Sequence, residues 1–153
     1  PLNAALAIKK EVSVNIIEIE GTSIVEIDSK NVLLEQIQCE LNLDQETNIT
    51  DIWSVMSPLK YYVALNGDIP VGVLTLVGCD ESPEIYKIYV CKSCRQKNVG
   101  MALFEHVEKK LTQDGITKVF VEIIDGFSFW EKLSMKYCFE SLSSDKYFIK
   151  LNG

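Results

Sequence analysis

Residues 88–103 have the sequence Ile88-Tyr89-Val90-Cys91-Lys92-Ser93-Cys94-Arg95-Gln96-Lys97-Asn98-Val99-Gly100-Met101-Ala102-Leu103. The apolar start is typical of a buried β-strand. A short basic loop follows, and from Gly100 onward apolar residues recur at helical spacing, at Leu103, Phe104, Val107 and Leu111. The stretch therefore predicts a strand, a loop and an amphipathic helix in succession.

The junction between this loop and the helix suits an anion. The first N–H groups of a helix have no partner within it, and they lie at the positive end of its dipole. Asn98 is a favoured N-cap that also accepts a left-handed backbone, and Gly100 lets a ligand approach the main chain closely. Arg95 and Lys97 add positive charge. These features predict a pyrophosphate-binding cradle.

The charge of the chain is unevenly distributed. The 153 residues carry a net charge of -7, and residues 1–60 hold 4 basic against 10 acidic side chains. Residues 85–104 contain no acid but four cations, Lys87, Lys92, Arg95 and Lys97. Phosphate repulsion makes a general affinity for nucleic acid improbable. A cationic island in an acidic protein instead suits a compact anionic ligand, although a solvated loop would look the same.

Hydrophobic periodicity extends the prediction along the chain. An Asn66-Gly67-Asp68 turn between two β-rich runs is a strong hairpin signal. The pattern predicts a mixed α/β (α+β) chain. Its predicted strands are 12–19, 61–65, 71–77, 84–91, 116–124, 136–140 and 147–151, and its predicted helices are 30–43, 47–56, 100–115 and 127–133.

Length and composition favour one domain over residues 1–153, because no linker or repeat divides the chain. The longest uncharged stretch has eleven residues, too short to cross a bilayer, and residues 1–8 do not look like an export signal, so none is expected. Five cysteines without such a signal favour a reducing cytoplasm. Cys91-x-x-Cys94 with a single histidine, His106, falls short of a zinc site, so no metal is expected.

Residues 95–100 resemble the signature of the GNAT superfamily of acyl-CoA-dependent N-acetyltransferases. That signature has Arg or Gln, two variable residues, Gly, one variable residue, and Gly or Ala. Here these positions hold Arg95, Asn98 and Gly100, so asparagine replaces the central glycine. The order of predicted elements also matches the family. The resemblance implies a mostly antiparallel central sheet that is splayed between strands 4 and 5 and flanked by about four helices.

A second match lies at residues 126–135, which resemble the fourth helix of the family. Trp130 stands where many members place a tyrosine that protonates the departing CoA thiolate. An indole has no usable acidity, so the usual general acid is missing. Trp130 either packs beside the pantetheine arm of the cofactor or simply fills the core. Asp125 is expected to cap this helix, and His106 to lie on the surface.

The resemblance implies that acetyl-CoA is the cosubstrate and assigns its site. Pantetheine would pair with the backbone of Ile88, Tyr89 and Val90. The pyrophosphate would lie on the loop of Arg95, Gln96, Lys97, Asn98, Val99, Gly100 and Met101. A catalytic glutamate precedes the first signature residue by eleven positions in the histone-acetyltransferase branch, and Glu84 has that place here. Glu84 is therefore the candidate general base, with an exposed strand-end acid as its alternative. Tyr86 would line the acceptor site or pack on the sheet.

These features predict an enzyme that transfers an acetyl group from acetyl-CoA to a primary amine by direct attack in a ternary complex. The acceptor would be a small molecule or a peptide, and the acidic residues 1–60 would favour a cationic one. The protein would be a cytoplasmic monomer or homodimer without nucleic-acid or membrane partners. Two alternatives remain: a non-catalytic sensor or interaction module that binds CoA or acetyl-CoA, and a protein that kept the fold but lost the cofactor.

Overall fold

The computed structural model describes residues 21–54, 59–78 and 82–152. Their secondary structure, in chain order, is strand β1 (Thr22–Ile27), helix α1 (Val32–Leu43), strands β2 (Leu59–Asn66), β3 (Ile69–Val77) and β4 (Glu84–Val90), a 3-10 turn (Lys92–Cys94), helix α2 (Val99–Gln113), strand β5 (Lys118–Glu122), helix α3 (Phe127–Ser134), and strands β6 (Phe139–Ser141) and β7 (Lys146–Lys150). The predicted mixed α/β class is confirmed.

The strands form one seven-stranded sheet in the order β1-β2-β3-β4-β5-β7-β6. Every neighbouring pair is antiparallel except β4 and β5. The predicted hairpin joins β2 to β3, with Asn66 opposite Ile69 and a positive φ of 60° at Gly67. That conformation costs a glycine little, which explains its place in the turn.

Both faces of the sheet are buried. The larger core cluster joins the sheet to α2 and α3, whereas a second cluster joins it to α1. Strand β2 shows why: Tyr62 and Ala64 belong to the first cluster, and Tyr61 and Val63 to the second. Alternate side chains of a strand point to opposite faces, so two packed faces require a nearly continuous apolar run.

The predicted helix over 47–56 is wrong for its described part, because residues 47–54 form no helix. Their polar side chains bind the nearby backbone instead. Thr47 Oγ1 accepts from the Ile49 N–H at 3.1 Å, and Asp51 Oδ1 accepts from the Trp53 N–H at 2.8 Å. Such local bonds compete with helical ones. The described residues thus contain three α-helices, one fewer than predicted.

The strands predicted over 12–19 and 136–140 differ from the observed ones or cannot be compared with them. The predicted strand over 12–19 lies outside the described residues, and β1 at Thr22–Ile27 was not predicted. The strand predicted over 136–140 begins only at Phe139, because the N–H groups of Lys136 and Tyr137 both donate to the Leu133 carbonyl at 3.0 Å. These bonds extend the end of α3 by about one turn.

Helix α1 begins with a side-chain cap, since Asn31 Oδ1 accepts from the Leu33 N–H at 3.0 Å. Replacing Asn31→Ala removes this acceptor and is expected to lower the free energy of unfolding by about 1 kcal/mol. The measurement is urea denaturation. Asn31→Asp keeps the acceptor and serves as the control, and equal losses in both variants would contradict a capping role.

Candidate active site

The sheet opens between β4 and β5. Their parallel pairing consists of Glu84 opposite Phe120 and Ile85 opposite Val121, after which β4 continues to Val90 without β5 as a neighbour. A bulge lies at this point: Thr75 pairs with Lys87 and Leu76 with Ile85, so Tyr86 is an extra residue in β4. Bulges bend a strand and increase its twist. The result is the expected splay between these strands, a V-shaped opening that begins after Ile85.

The predicted cradle lies beyond the far end of β4. Gln96 and Asn98 have left-handed backbones, with φ of 60° and 63°, and α2 begins at the next residue, Val99. The left-handed prediction for Asn98 is therefore confirmed. Its side chain makes no capping bond within the helix; Oδ1 instead accepts from Lys132 Nζ of α3 at 3.4 Å. Lys132 thus brings an ammonium group to the loop that sequence analysis did not predict.

The space beside Gly100 is filled by a side chain of the protein, whereas the sequence analysis expected a ligand to approach the main chain there. It is buried, and a Cβ added there would lie 2.9 Å from Cε2 of Phe129. Its small size therefore allows the Phe129 ring of α3 to pack on the first turn of α2. The neighbouring Trp130 is 9% exposed, belongs to the larger core cluster, and meets the Phe129 ring edge-on at 5.0 Å. Of its two expected roles, the contacts of Trp130 support core filling.

The side chain of Arg95 turns back toward the protein. Its Nε donates to the Val90 carbonyl at 3.1 Å, and its guanidinium binds the carboxylates of Asp44 and Glu46. The guanidinium carbon lies 5.7 Å from the centre of the Tyr89 ring, a cation–π distance. The Arg95 side chain thus ties the start of the loop to β4 and to the residues after α1.

The residues that follow α1 cross the mouth of the opening. We call residues 44–51 the strap. At one side the strap binds Arg95 through Asp44, and Lys87 Nζ of β4 donates to the Asp51 carbonyl. At the other side the Asn48 N–H donates to Asp125 Oδ2 at 3.1 Å. Asp125 lies in the turn between β5 and α3. The strap therefore links both lips of the V.

The strap explains Asp125, which does not cap α3 as expected. The N-cap of α3 is Gly126, whose own N–H donates to Asp125 Oδ1 at 2.7 Å. With Asn48 on its other oxygen, this carboxylate accepts two backbone N–H groups. Asp125 therefore holds the strap to the β5 lip.

The strap also neutralises much of the cationic island. Glu46 binds Lys92 at 3.2 Å as well as Arg95, and Asp44 is occupied by Arg95. Burial lowers the pKa of Lys87, and the charge of Asp51 partly offsets this. Two of the four cations of the island, Arg95 and Lys92, are thus paired with acids of the first part of the chain.

Glu84 and its neighbours share the face that carries α1 and the strap. Glu84 lies opposite Val77, two residues beyond Thr75, whose hydroxyl donates to the Ile52 carbonyl at 2.9 Å. Opposed residues in an antiparallel pair point to the same face. Lys87 Nζ lies 5.0 Å from the Tyr86 ring on that face. Glu84 is half-buried and Tyr86 exposed, and the two residues flank Ile85, the last residue of β4 that pairs with β5.

Three other titratable residues lie on or near α2 and α3: His106 is part of α2, and Tyr137 and Cys138 follow α3. His106 is half-buried against the Tyr62 ring rather than on the surface, and burial lowers its pKa. Tyr137 donates to Glu108 of α2 at 2.7 Å, and burial and this bond raise its pKa. Cys138 is exposed. The Tyr137 hydroxyl is therefore held against α2.

Two observations concern alternative partners. Within the ranges 21–54, 59–78 and 82–152, no three His, Cys, Asp or Glu side chains are placed to share a metal ion. Over those same ranges, every helix is too short or too polar to traverse a bilayer.

A family model described as the acetyltransferase (GNAT) family matches residues 30–133, more than half of the chain. The chain belongs to the GNAT acetyltransferase family. No curated protein shows significant sequence similarity to it.

Solved GNAT structures share the fold at low sequence identity. A GNAT-family acetyltransferase from Staphylococcus aureus has a TM-score of 0.63 and 16% identity, with 85% of this chain and 100% of that chain covered. The ribosomal-protein-S18-alanine N-acetyltransferase of Escherichia coli gives 0.62 and 13%, with 85% and 92% covered. PaiA N-acetyltransferase of Thermoplasma acidophilum, in complex with coenzyme A, gives 0.61 and 14%, with 84% and 98% covered.

Sequence reasoning missed Asp44, Phe129 and Lys132. One signal for Asp44 was available. An acid at a helix C-terminus opposes the helix dipole, and the last turn of α1 holds no basic residue to compensate. Phe129 and Lys132 gave no comparable signal, because their roles depend on how α3 packs on α2.

The left-handed backbone at Asn98 yields a test of the altered signature. Asn98→Gly restores the usual family residue and should preserve stability, whereas Asn98→Val should lower the free energy of unfolding by about 1–2 kcal/mol, since a β-branched residue is strained there. Both variants lose the bond to Lys132, so urea denaturation isolates the backbone effect. Equal stability of the two variants would contradict it.

Proposed function

We propose that this family member transfers the acetyl group of acetyl-CoA to a primary amine by direct attack in a ternary complex. The observation that carries the proposal is the V-shaped opening, which joins the unpaired half of β4 to the amide-rich start of α2. An extended arm with amide groups suits the first, and a pyrophosphate suits the second.

The loop before α2 has a shape that suits the pyrophosphate of the cosubstrate. Two left-handed residues with one residue between them, Gln96 and Asn98, turn the chain into a concave loop immediately before the helix. Loops of this kind direct backbone N–H groups toward an anion. We assign the pyrophosphate to residues 96–101 with Lys132 beside them, and the pantetheine amides to Ile88, Tyr89 and Val90. Arg95 supports the loop in this assignment, and Trp130 packs behind it.

Acetyl-CoA supplies an activated thioester, and the chain supplies position and proton transfer. A neutral amine forms the new N–C bond as the C–S bond breaks, and the amine proton must reach a base. We assign this role to Glu84, because it lies half-buried one residue before the last pair between β4 and β5, beside the start of the opening. The departing CoA thiolate takes its proton from water in this scheme, because Trp130 has no acidic proton to give.

The acceptor is proposed as a primary amine of a small molecule or peptide. The E. coli neighbour, whose substrate is an alanine of a ribosomal protein, supports an amine acceptor. Two of the acids behind the expectation of a cationic acceptor, Asp44 and Glu46, pair with Arg95 and Lys92 within the chain. A cytoplasmic location is part of the proposal, supported by free thiols at Cys39, Cys91, Cys94 and Cys138.

The first test is cofactor binding. Acetyl-CoA at about 100 times its Kd should add roughly 2.7 kcal/mol of stability and raise Tm by several degrees. Thermal denaturation with and without acetyl-CoA measures this. An unchanged Tm at millimolar acetyl-CoA would refute the proposed site.

A second candidate function is a sensor that binds acetyl-CoA without turnover, favoured by the indole of Trp130 where many members have a phenol. Release of free thiol from acetyl-CoA in the presence of an amine panel separates the two functions. An enzyme releases thiol with at least one amine, whereas a sensor shows the Tm shift alone.

Replacing Glu84→Gln tests the base. Turnover should fall on the order of 100-fold, because the amine proton loses its acceptor, while the Kd for acetyl-CoA stays nearly constant. Glu122→Gln removes an exposed carboxylate at the end of β5 and serves as the control. Unaltered turnover in the Glu84 variant would eliminate its catalytic role.

A further inference from the structure

The carboxylate of Asp44 is the most completely buried charged group at the site. Its side chain is 2% exposed. Oδ2 accepts from the Tyr89 hydroxyl at 3.0 Å and also binds the Arg95 guanidinium, and Oδ1 accepts from the Glu46 N–H at 2.9 Å. A buried charge is costly unless paired and hydrogen-bonded, and these contacts satisfy both oxygens.

These partners keep Asp44 ionised. Burial opposes the charge, but the hydrogen bonds from Glu46, Tyr89 and Arg95 outweigh it, so the pKa of Asp44 lies below its usual 3.8. Burial and the Asp44 bond raise the pKa of the Tyr89 phenol, which stays a neutral donor. The network is thus a fixed arrangement of an anion, a cation and a neutral phenol.

Arg95 transmits this arrangement to the loop. Its Nε donates to the Val90 carbonyl at 3.1 Å, which ties the loop to the end of β4, while Asp44 holds its other end. The next residue, Gln96, already has the left-handed backbone of the cradle. Arg95 has lost most of its rotational freedom, so the loop that follows starts from a fixed point.

We propose that Asp44 is a positioning residue for the acyl-CoA site. It holds Arg95, and through Arg95 it fixes the loop whose N–H groups receive the pyrophosphate. This inference rests on the proposed function, since it assigns a role toward the same cosubstrate. It assigns Asp44 no contact with the cosubstrate itself.

A competing role for Asp44 predicts the opposite change in affinity for acetyl-CoA when its carboxylate is removed. If Asp44 merely withdrew the Arg95 charge from the phosphates, removing the carboxylate would free that charge and tighten cofactor binding. If Asp44 positions the loop, removing it loosens the cradle and weakens binding. The direction of one measured change therefore decides between the two roles.

The test is the Kd and KM for acetyl-CoA in Asp44→Asn. Bonds to a charged group typically account for a tenfold effect or more, so we expect Kd and KM to rise about tenfold. The kcat at saturating acetyl-CoA should stay within about twofold, because the loop is restored once the cofactor is bound. An unliganded Tm for each variant reports folding separately.

The matched control is Glu46→Gln. It removes the same charge beside Arg95, but Glu46 is 60% exposed and its bond to Arg95 is long, at 3.4 Å. Exposed pairs of this kind contribute little, so its Kd should stay close to that of the wild type. A tenfold fall in Kd in both variants would mean that net charge governs binding, and a tenfold rise in both would mean that loop positioning is not specific to Asp44.

A double-mutant cycle with Arg95→Gln tests the route. In that background Asp44→Asn should have almost no further effect on Kd, because the residue it acts through is gone. Additive effects would overturn the inference. Where Asp44→Asn fails to fold, Tyr89→Phe, which removes only one hydroxyl from the network, is tested in the same cycle with the same required outcome.

The outcomes also separate this inference from the function on which it rests. A wild-type protein that shows no Tm shift with acetyl-CoA refutes the proposed function. A wild type that binds, with an Asp44→Asn variant that binds as well or more tightly, overturns only the positioning role.

Discussion

The structure depends on how soon the pairing between β4 and β5 stops along the two strands. Two parallel pairs, at Glu84 and Ile85, hold the sheet together, and the bulge at Tyr86 then bends β4 away. Because the strands separate, a main-chain edge becomes available inside the protein, where a sheet would otherwise be closed. The opening exists without a large cavity having to be built from side chains.

A gap in a sheet would weaken the fold unless other elements bridged it. The strap does so, binding Lys87 and Arg95 on the β4 side and Asp125 on the β5 side. Its contacts include charged groups and backbone carbonyls and amides, which suits a region next to solvent. The α3 helix closes the opposite face, where Phe129 packs on Gly100. One side of the opening is therefore bridged by polar contacts and the other by packing.

The distribution of charge takes on a different meaning once the chain is folded. The sequence separates an acidic first part from a cationic loop, which invites the idea of two surfaces for two ligands. In the fold Asp44 and Glu46 lie against Arg95 and Lys92. Much of the positive charge thus serves to hold the loop, and the partial charges of the α2 N-terminus remain for the anion. Lys132 reaches the same place from α3.

The amino-acid sequence predicts the element order from residue 59 onward, the hairpin at Gly67 and the left-handed Asn98, because periodicity, turn chemistry and backbone sterics act between near neighbours. It did not determine that residues 47–54 avoid a helix, that Phe129 occupies the space over Gly100, or that Asp44 holds Arg95. Asp44 and Arg95 lie 51 positions apart and come together only when α1 packs on the sheet. Interactions between near neighbours favour most of the observed helices and strands, whereas the partners of charged and aromatic side chains are decided by packing between distant elements.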